Sequence, residues 1–218
     1  MEAARLATEA WVRADMESDR TVYRLVKRAL DMVVALLGLI IAAPVWALTS
    51  VAIWLDDGRP VLYARPCVGE GGRPFDQIKF RSMVRDAERL SGPVMATEMD
   101  PRVTRVGKWL RKSALDELPQ LINILKGEMS FVGPRPERPF FVEQFLATVP
   151  NYAHRFRVRP GLTGLAQVYG RYDTPAKHKL RYDLLYARRR GVPLDVKLLA
   201  LSLVLTAKGT WDSRAKRR

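Results

Sequence analysis

Hydrophobic positions form one long run and several shorter, periodic ones. Met32 to Leu55 is 24 residues without a charge. About 20 apolar residues suffice to cross a bilayer as one helix. Pro44 interrupts the run. Proline has no N–H to give to the carbonyl of Ile40, and its ring crowds that turn. The halves Met32–Ala43 and Val45–Leu55 are each roughly 16–18 Å long, about half of a ~30 Å hydrocarbon core. Two half-depth helices meeting at a proline predict a re-entrant hairpin over residues 29–56. A single span with a tolerated proline kink is the alternative. Arg24, Lys27 and Arg28 precede the run, and Arg59 and Arg65 follow it. Lys/Arg excess marks cytoplasmic flanks, so basic residues on both sides favour both ends facing the cytoplasm. Residues 1–28 mix both signs of charge and read as an exposed extension. They do not read as a cleavable signal, because the apolar run starts too late and is too long.

Residues 57–218 read as a cytoplasmic domain, entered through the turn Asp56-Asp57-Gly58-Arg59-Pro60. Val61–Ala64 and Phe75–Phe80, joined by a tight turn over Val68–Phe75, predict a β-hairpin. Ser82–Leu90 is expected to be helical and Ser91–Met99 a loop. From Asp100 onward, Val103, Val106, Trp109 and Leu110 share one face, with Arg102, Arg105, Lys108, Arg111 and Lys112 opposite or alongside. This is a basic amphipathic helix, suited to anionic lipid or to a core contact with a solvated charged side. Leu118, Leu121, Ile122 and Leu125 continue the helical spacing from Leu115 to Lys126, where Gly127 stops it. Further helices are expected over Pro139–Val149, Lys177–Arg190 and Leu194–Ala207, with a turn-rich loop at Arg159–Gly164. Leu194–Ala207 is almost wholly apolar but, at 14 residues, too short to span. The expected class is mainly α with a small β-hairpin (α+β), in a monotopic membrane protein with interfacial amphipathic helices.

Charge narrows the partners. Lys and Arg number 37 against 23 Asp and Glu, a net charge of +14. That favours an anionic partner: nucleic acid, an acidic membrane surface or a phosphorylated substrate. Cys67 is the only cysteine, which excludes an internal disulfide and suits a reducing compartment. With only two histidines besides, a Cys/His zinc site is excluded. A metal here would be a hard cation held by carboxylates. There is no phosphate loop of the G-x-x-x-x-G-K-[ST] kind and no strand-linked G-x-G-x-x-G.

The adjacent acids Asp116 and Glu117 stand out among these cations. On a helix they point about 100° apart, so they cannot face each other across a glycosidic bond. They can divide labour, one carboxylate attacking phosphorus and the other holding a metal. Phosphoryl transfer needs its nonbridging oxygens neutralised, which arginines and Mg²⁺ supply. Arg135, between Pro134 and Pro136, is one candidate; Lys79 and Arg81 are others. For any single cation the plain alternative is a solvated surface charge.

Five motifs occur in order: Lys79-Phe80-Arg81-Ser82-Met83, Asp100–Gly107, Leu115-Asp116-Glu117-Leu118-Pro119-Gln120, Met129–Pro136 and Pro160–Gln167. Together they resemble the bacterial sugar transferase family, the monotopic phosphoglycosyl transferases, from about Lys27 to Lys208. The resemblance implies transfer of a sugar-1-phosphate from a nucleoside diphosphate sugar, usually UDP-linked, to polyprenol phosphate, with release of UMP. The product would start a surface glycan such as an exopolysaccharide, or a glycoconjugate. It implies Asp116 as nucleophile, Glu117 as the Mg²⁺-linked acid, and Lys79, Arg81, Arg135, Thr163 and Gln167 as substrate-binding residues. It places the re-entrant break at Pro44 and the enzyme at the cytoplasmic face of the bacterial inner membrane. The positive charge then suits anionic lipid and two phosphorylated substrates, and not primarily nucleic acid.

Two stretches depart from the pattern. Cys67-Val68-Gly69 stands where the family usually has Arg-x-Gly, which leaves open whether Arg65 replaces that arginine. Arg188–Asp195 replaces a more usual aromatic-Ser stretch. Larger family members carry extra membrane helices before this module, so the chain is expected to be a minimal, catalytic-module form. Two rival readings stand beside this one. A membrane-tethered lipid- or nucleic-acid-binding protein rests on charge alone. A metal-dependent glycosyltransferase usually needs a D-x-D motif, which is absent.

Overall fold

The computed structural model describes residues 21–89, 92, 94, 100–170 and 174–208. The readings of Met1–Arg20 and of most of Ser91–Met99 lie outside the described residues. The apolar run belongs to one helical element, α1 (Thr21–Asp57), with Pro44 inside it. The two separate half-helices expected from the sequence are therefore a single element, which begins within the segment read as an extension.

A single stripe of α1 rests on the rest of the protein. Arg28 donates to the carbonyls of Ile124 and Leu125 (2.6 and 2.7 Å), and Asp31 accepts the Phe131 N–H (3.2 Å). Ala35 and Leu39 join a core with Leu121, Ile124 and Met129. Past Pro44, Trp46 packs edge-on against Phe80, and Ile53 is buried with Phe80 and Leu110. These positions recur at steps of three, four and seven, so one inward face continues on both sides of the proline. The opposite face is apolar and open: Ile41, Leu48 and Leu55, seven residues apart, are each more than 70% exposed.

The hairpin forms as expected, with longer strands. β1 (Leu62–Val68) pairs antiparallel with β2 (Pro74–Phe80) around a 3₁₀ turn at Glu70–Gly72. The register sets Tyr63 opposite Lys79, Arg65 opposite Gln77 and Cys67 opposite Phe75. Directly opposed residues share a face, and Gln77 and Phe75 carry this one onto the segment that follows residue 114. Ser82–Leu90 is not helical over its described residues, a correction. Its backbone is used elsewhere: Val84 N–H donates to Arg102, the Ser82 carbonyl accepts from Thr104, and Met83 bridges Val103.

Helix α2 (Arg105–Ser113) starts at Thr104, whose hydroxyl accepts the Gly107 N–H (3.0 Å), a side-chain N-cap. Leu110 is fully buried, while Trp109 remains 60% exposed beside exposed Arg105, Lys108 and Lys112. The expected continuous helix from Leu115 to Lys126 is interrupted. Ala114 takes a left-handed conformation (φ 56°), Leu115–Glu117 is one 3₁₀ turn, and α3 (Gln120–Lys126) starts after Pro119.

The supposed loop at Arg159–Gly164 contains a strand. β4 (Gly161–Thr163) pairs parallel with β3 (Ser130–Val132). Gly133 and Gly161 approach so closely that a side chain on either would collide with the other's backbone. Helix α4 (Pro139–Thr148), the short α5 (Leu165–Tyr169), α6 (Ala176–Arg189) and α7 (Val192–Ala207) complete the fold. Asp195 of α7 ties α1 down, accepting from Lys27 (2.7 Å) and Tyr23 (2.9 Å). The architecture is α+β, mostly helical, with two small two-stranded sheets among the described residues.

Candidate active site

Four of the sequence-nominated residues meet. Asp116 and Glu117 occupy the 3₁₀ turn between α2 and α3, and both are buried. Lys79 arrives from the end of β2 and Arg135 from the segment after β3. Their cationic groups reach the same oxygen, Glu117 Oε1, at 2.6 and 2.8 Å. The turn rests on a hydrogen-bonded seam. Gln77 donates to Gln120 (2.8 Å), the Ile78 N–H donates to Asn123, and Asn123 donates to the Asp76 carbonyl and to Glu128. This seam fixes β2 against α3, and so Lys79 against Glu117.

The two acids differ in their surroundings. Burial works against the charge of Glu117, but Arg135 and Lys79 outweigh it and hold its carboxyl well below the usual range. Asp116 makes no side-chain hydrogen bond or ion pair among the described residues. Burial, with the charge of Glu117 beside it, pushes Asp116 up to about 6, against the pull of Lys79, Arg111 and Arg135. Lys79 is pulled below the ordinary lysine value by burial, against Glu117 and with the help of Arg135. One carboxylate thus pairs with two cations, and its neighbour pairs with none among the described residues.

Arg81, from the same motif as Lys79, goes elsewhere. Its Nη2 donates to the carbonyls of Asp57 and Gly58 (2.7 and 2.8 Å) and pairs with the Asp57 carboxylate (3.0 Å). It closes the C-terminal end of α1, where carbonyls lack helical partners and attract a cation. Thr163 and Gln167 flank the Gly133–Arg135 segment. The Thr163 carbonyl accepts the Gly133 N–H (2.8 Å), and the Gln167 amide lies against Gly164. Pro44 is within α1, as described.

Two residues at the site were not singled out from the sequence. Arg111 of α2 lies close enough to Asp116 to lower its pKa. Five residues apart on an unbroken helix they would point about 140° apart; the left-handed Ala114 between them changes that. Arg155 is buried and fixes the main chain of Arg135, donating to its carbonyl (2.8 Å) while pairing with Asp183 (3.0 Å) and bonding Tyr152 (2.9 Å). In the sequence it was one cation among 37. A cleft beside it runs between the Val68–Gly69 turn and Pro134, Arg135, Phe156 and Pro160.

Residues 22–209 match the bacterial sugar transferase family, and the chain belongs to it. Among its relatives is a UDP-N-acetylgalactosamine-undecaprenyl-phosphate N-acetylgalactosaminephosphotransferase of Aeromonas hydrophila, 40% identical over 86% of this chain and 45% of that protein. A putative undecaprenyl-phosphate N-acetylgalactosaminyl 1-phosphate transferase of Bacillus subtilis (strain 168) is 45% identical over 73% of this chain and 86% of that protein. A UDP-glucose:undecaprenyl-phosphate glucose-1-phosphate transferase of Escherichia coli (strain K12) is 41% identical over 84% of this chain. The chain spans 45% and 40% of the Aeromonas and Escherichia proteins, under half of each.

Proposed function

We propose that this chain is a phosphoglycosyl transferase that moves a sugar-1-phosphate from a UDP-sugar to polyprenol phosphate at the cytoplasmic face of a bacterial inner membrane. The observation that carries the reading is the unequal pair: Glu117 is held by Lys79 and Arg135, and Asp116 beside it has no hydrogen-bond or ion-pair partner among the described residues. The relatives' names, which join UDP-sugars to undecaprenyl phosphate, support the substrate class.

In the proposed reaction an Asp116 oxygen attacks the β-phosphorus of the sugar nucleotide. The bond from that phosphorus to the bridging oxygen breaks, and UMP leaves with the oxygen. A phosphate oxygen of the polyprenol phosphate then attacks the same phosphorus, the bond to Asp116 breaks, and the free carboxylate returns. No proton or redox partner is required in either step. Arg135 and Lys79 hold positive charge beside the reacting phosphorus, which stabilises charge on the nonbridging oxygens. Glu117 keeps both cations in place.

Mg²⁺ fits this donor set. Among the described residues no cluster of three or more metal-binding side chains exists. Mg²⁺ is commonly held by one or two carboxylates with substrate phosphates and water. Glu117 would hold it together with the substrate phosphates, and it would supply further neutralisation of the diphosphate.

Both ends of α1 support a monotopic placement. Arg28 near one end and Asp56 and Asp57 at the other touch the same folded unit; the Asp56 carboxylate accepts the Val106 N–H (2.9 Å). A helix crossing straight through a bilayer would hold those contacts on opposite sides.

The test is UMP release by the membrane-reconstituted protein with undecaprenyl phosphate, Mg²⁺ and a panel of UDP-sugars. Asp116→Asn should abolish it, and without the lipid acceptor the intact mass of the wild type should rise by one phosphosugar. Near-normal turnover by folded Asp116→Asn protein would overturn the nucleophile assignment; UDP as product would overturn the reaction class.

A further inference from the structure

We infer that Arg65 anchors a substrate phosphate at the Asp116–Glu117 site. The inference rests on the reading of that site given above and adds a residue to it. Cys67, on the same strand, supplies no cation to the site. Cys67 is fully buried, packs with Phe75, Leu121 and Met129, and turns its thiol toward Gln77 Oε1 (3.7 Å). Arg65 lies two residues earlier on β1 and so projects from the same face. It stands opposite Gln77, with Lys79 its diagonal neighbour in the pairing register. Such neighbours lie about 7–8 Å apart, within reach of long side chains.

The guanidinium is held by one edge. Its Nε donates to Gln77 Oε1 (2.8 Å), and Gln77 in turn donates to Gln120 (2.8 Å). Both glutamines are essentially inaccessible, at 0 and 1% exposure. A surface arginine without a task would wave in solvent; this one is fixed by a buried chain of amides. Its Nη1 and Nη2 have no carboxylate within ion-pair distance among the described residues. Glu117, an acid of the site, already serves Lys79 and Arg135. Arg65 therefore adds a third positive charge beside two others with no counter-ion of its own, an arrangement that an anion would relieve. A planar fork with two free donors matches a phosphate's paired oxygens.

The anion has two sources in the proposed reaction, the diphosphate of the sugar nucleotide and the phosphate of the polyprenol. The experiment uses the full chain in nanodiscs and compares wild type, Arg65→Gln, Arg65→Lys and Arg73→Gln, the last an exposed turn residue outside the site. KM for the preferred UDP-sugar, KM for undecaprenyl phosphate, kcat, thermal midpoint and UDP affinity are measured for each. Arg65→Gln should raise one KM about tenfold or more, the scale of a lost charge-assisted hydrogen bond, with kcat within about threefold. Arg65→Lys should recover part of that loss, and Arg73→Gln should match the wild type. A rise in the UDP-sugar KM with weaker UDP binding assigns the sugar nucleotide; a rise confined to undecaprenyl phosphate assigns the acceptor. Unchanged KM values for both substrates would overturn the inference. So would a fall in kcat and thermal midpoint that lysine does not relieve. If the wild type released no UMP from any UDP-sugar, the proposed function would fail, and UDP and pyrophosphate binding to wild type and Arg65→Gln would still decide the role of Arg65.

Discussion

At the scale of residues, two adjacent carboxylates with unequal partners make a pH prediction. In the proposed reaction Asp116 must be ionised to attack, and burial raises its pKa from 3.8 to about 6. The fraction ready to react is then nearly complete above pH 7 and falls about tenfold per unit below pH 6. Glu117, held low by Arg135 and Lys79, stays charged throughout that range. The acid limb of kcat/KM for UMP release should therefore bend near pH 6 with a slope of one. A limb bending near pH 4, the ordinary aspartate range, would mean that Asp116 is solvated and not in the setting described here. The pair itself was legible in the sequence, because adjacent acids are conspicuous in so basic a chain. Which of the two is free was not legible. That depends on where Lys79 and Arg135 arrive, from positions 38 and 18 residues away. Arg81 makes the same point in reverse: it shares a motif with Lys79, yet the unsatisfied carbonyls at the end of α1 capture it.

At the scale of elements, the apolar run and the β-hairpin were readable because each carries a strong local signal. The breaks that shape the site were not. Leu118, Leu121, Ile122 and Leu125 keep helical spacing straight through, and nothing in an alanine announces the left-handed turn at Ala114. The β3–β4 pair was hidden for another reason: three-residue parallel strands have no periodicity to detect, and their pairing rests on long-range backbone hydrogen bonds and the close approach of Gly133 and Gly161. Helix α1 remains the element whose placement matters most. Its two ends touch one folded unit, so both should face the same aqueous compartment. Single cysteines at Leu25 and Arg59, both exposed, test this with a membrane-impermeant maleimide. Native Cys67 is buried and should stay silent. Neither probe should react in intact spheroplasts, and both should react in inverted vesicles. Labelling of one of them from outside would establish a span and remove the re-entrant placement.

For the whole molecule, two forces can hold the protein to a membrane, and they differ in size and in salt dependence. The net charge of +14 attracts an anionic leaflet, at about 1 kcal/mol for each basic residue near the surface. Exposed Arg105, Lys108 and Lys112 around Trp109 are placed for that role. At 1 M salt the screening length is about 3 Å and most of this attraction is gone. The outward face of α1 acts differently. Ile40, Ile41, Leu48, Val51, Trp54 and Leu55 are each more than half exposed to whatever surrounds the helix. Fully burying such a side chain is worth about 1.5–3 kcal/mol, so even half-burial of these six in lipid contributes on the order of 5–9 kcal/mol, and Leu203 on α7 adds to it. That part is insensitive to salt. Washing membranes with 1 M NaCl should leave the protein in the pellet, and mild detergent should release it. Replacing Ile41, Leu48 and Leu55 together with serine should make the same wash effective, because what remains is chiefly electrostatic. Release of the unmodified protein by salt alone would assign its attachment to charge and favour a surface-bound lipid-binding protein over an embedded transferase.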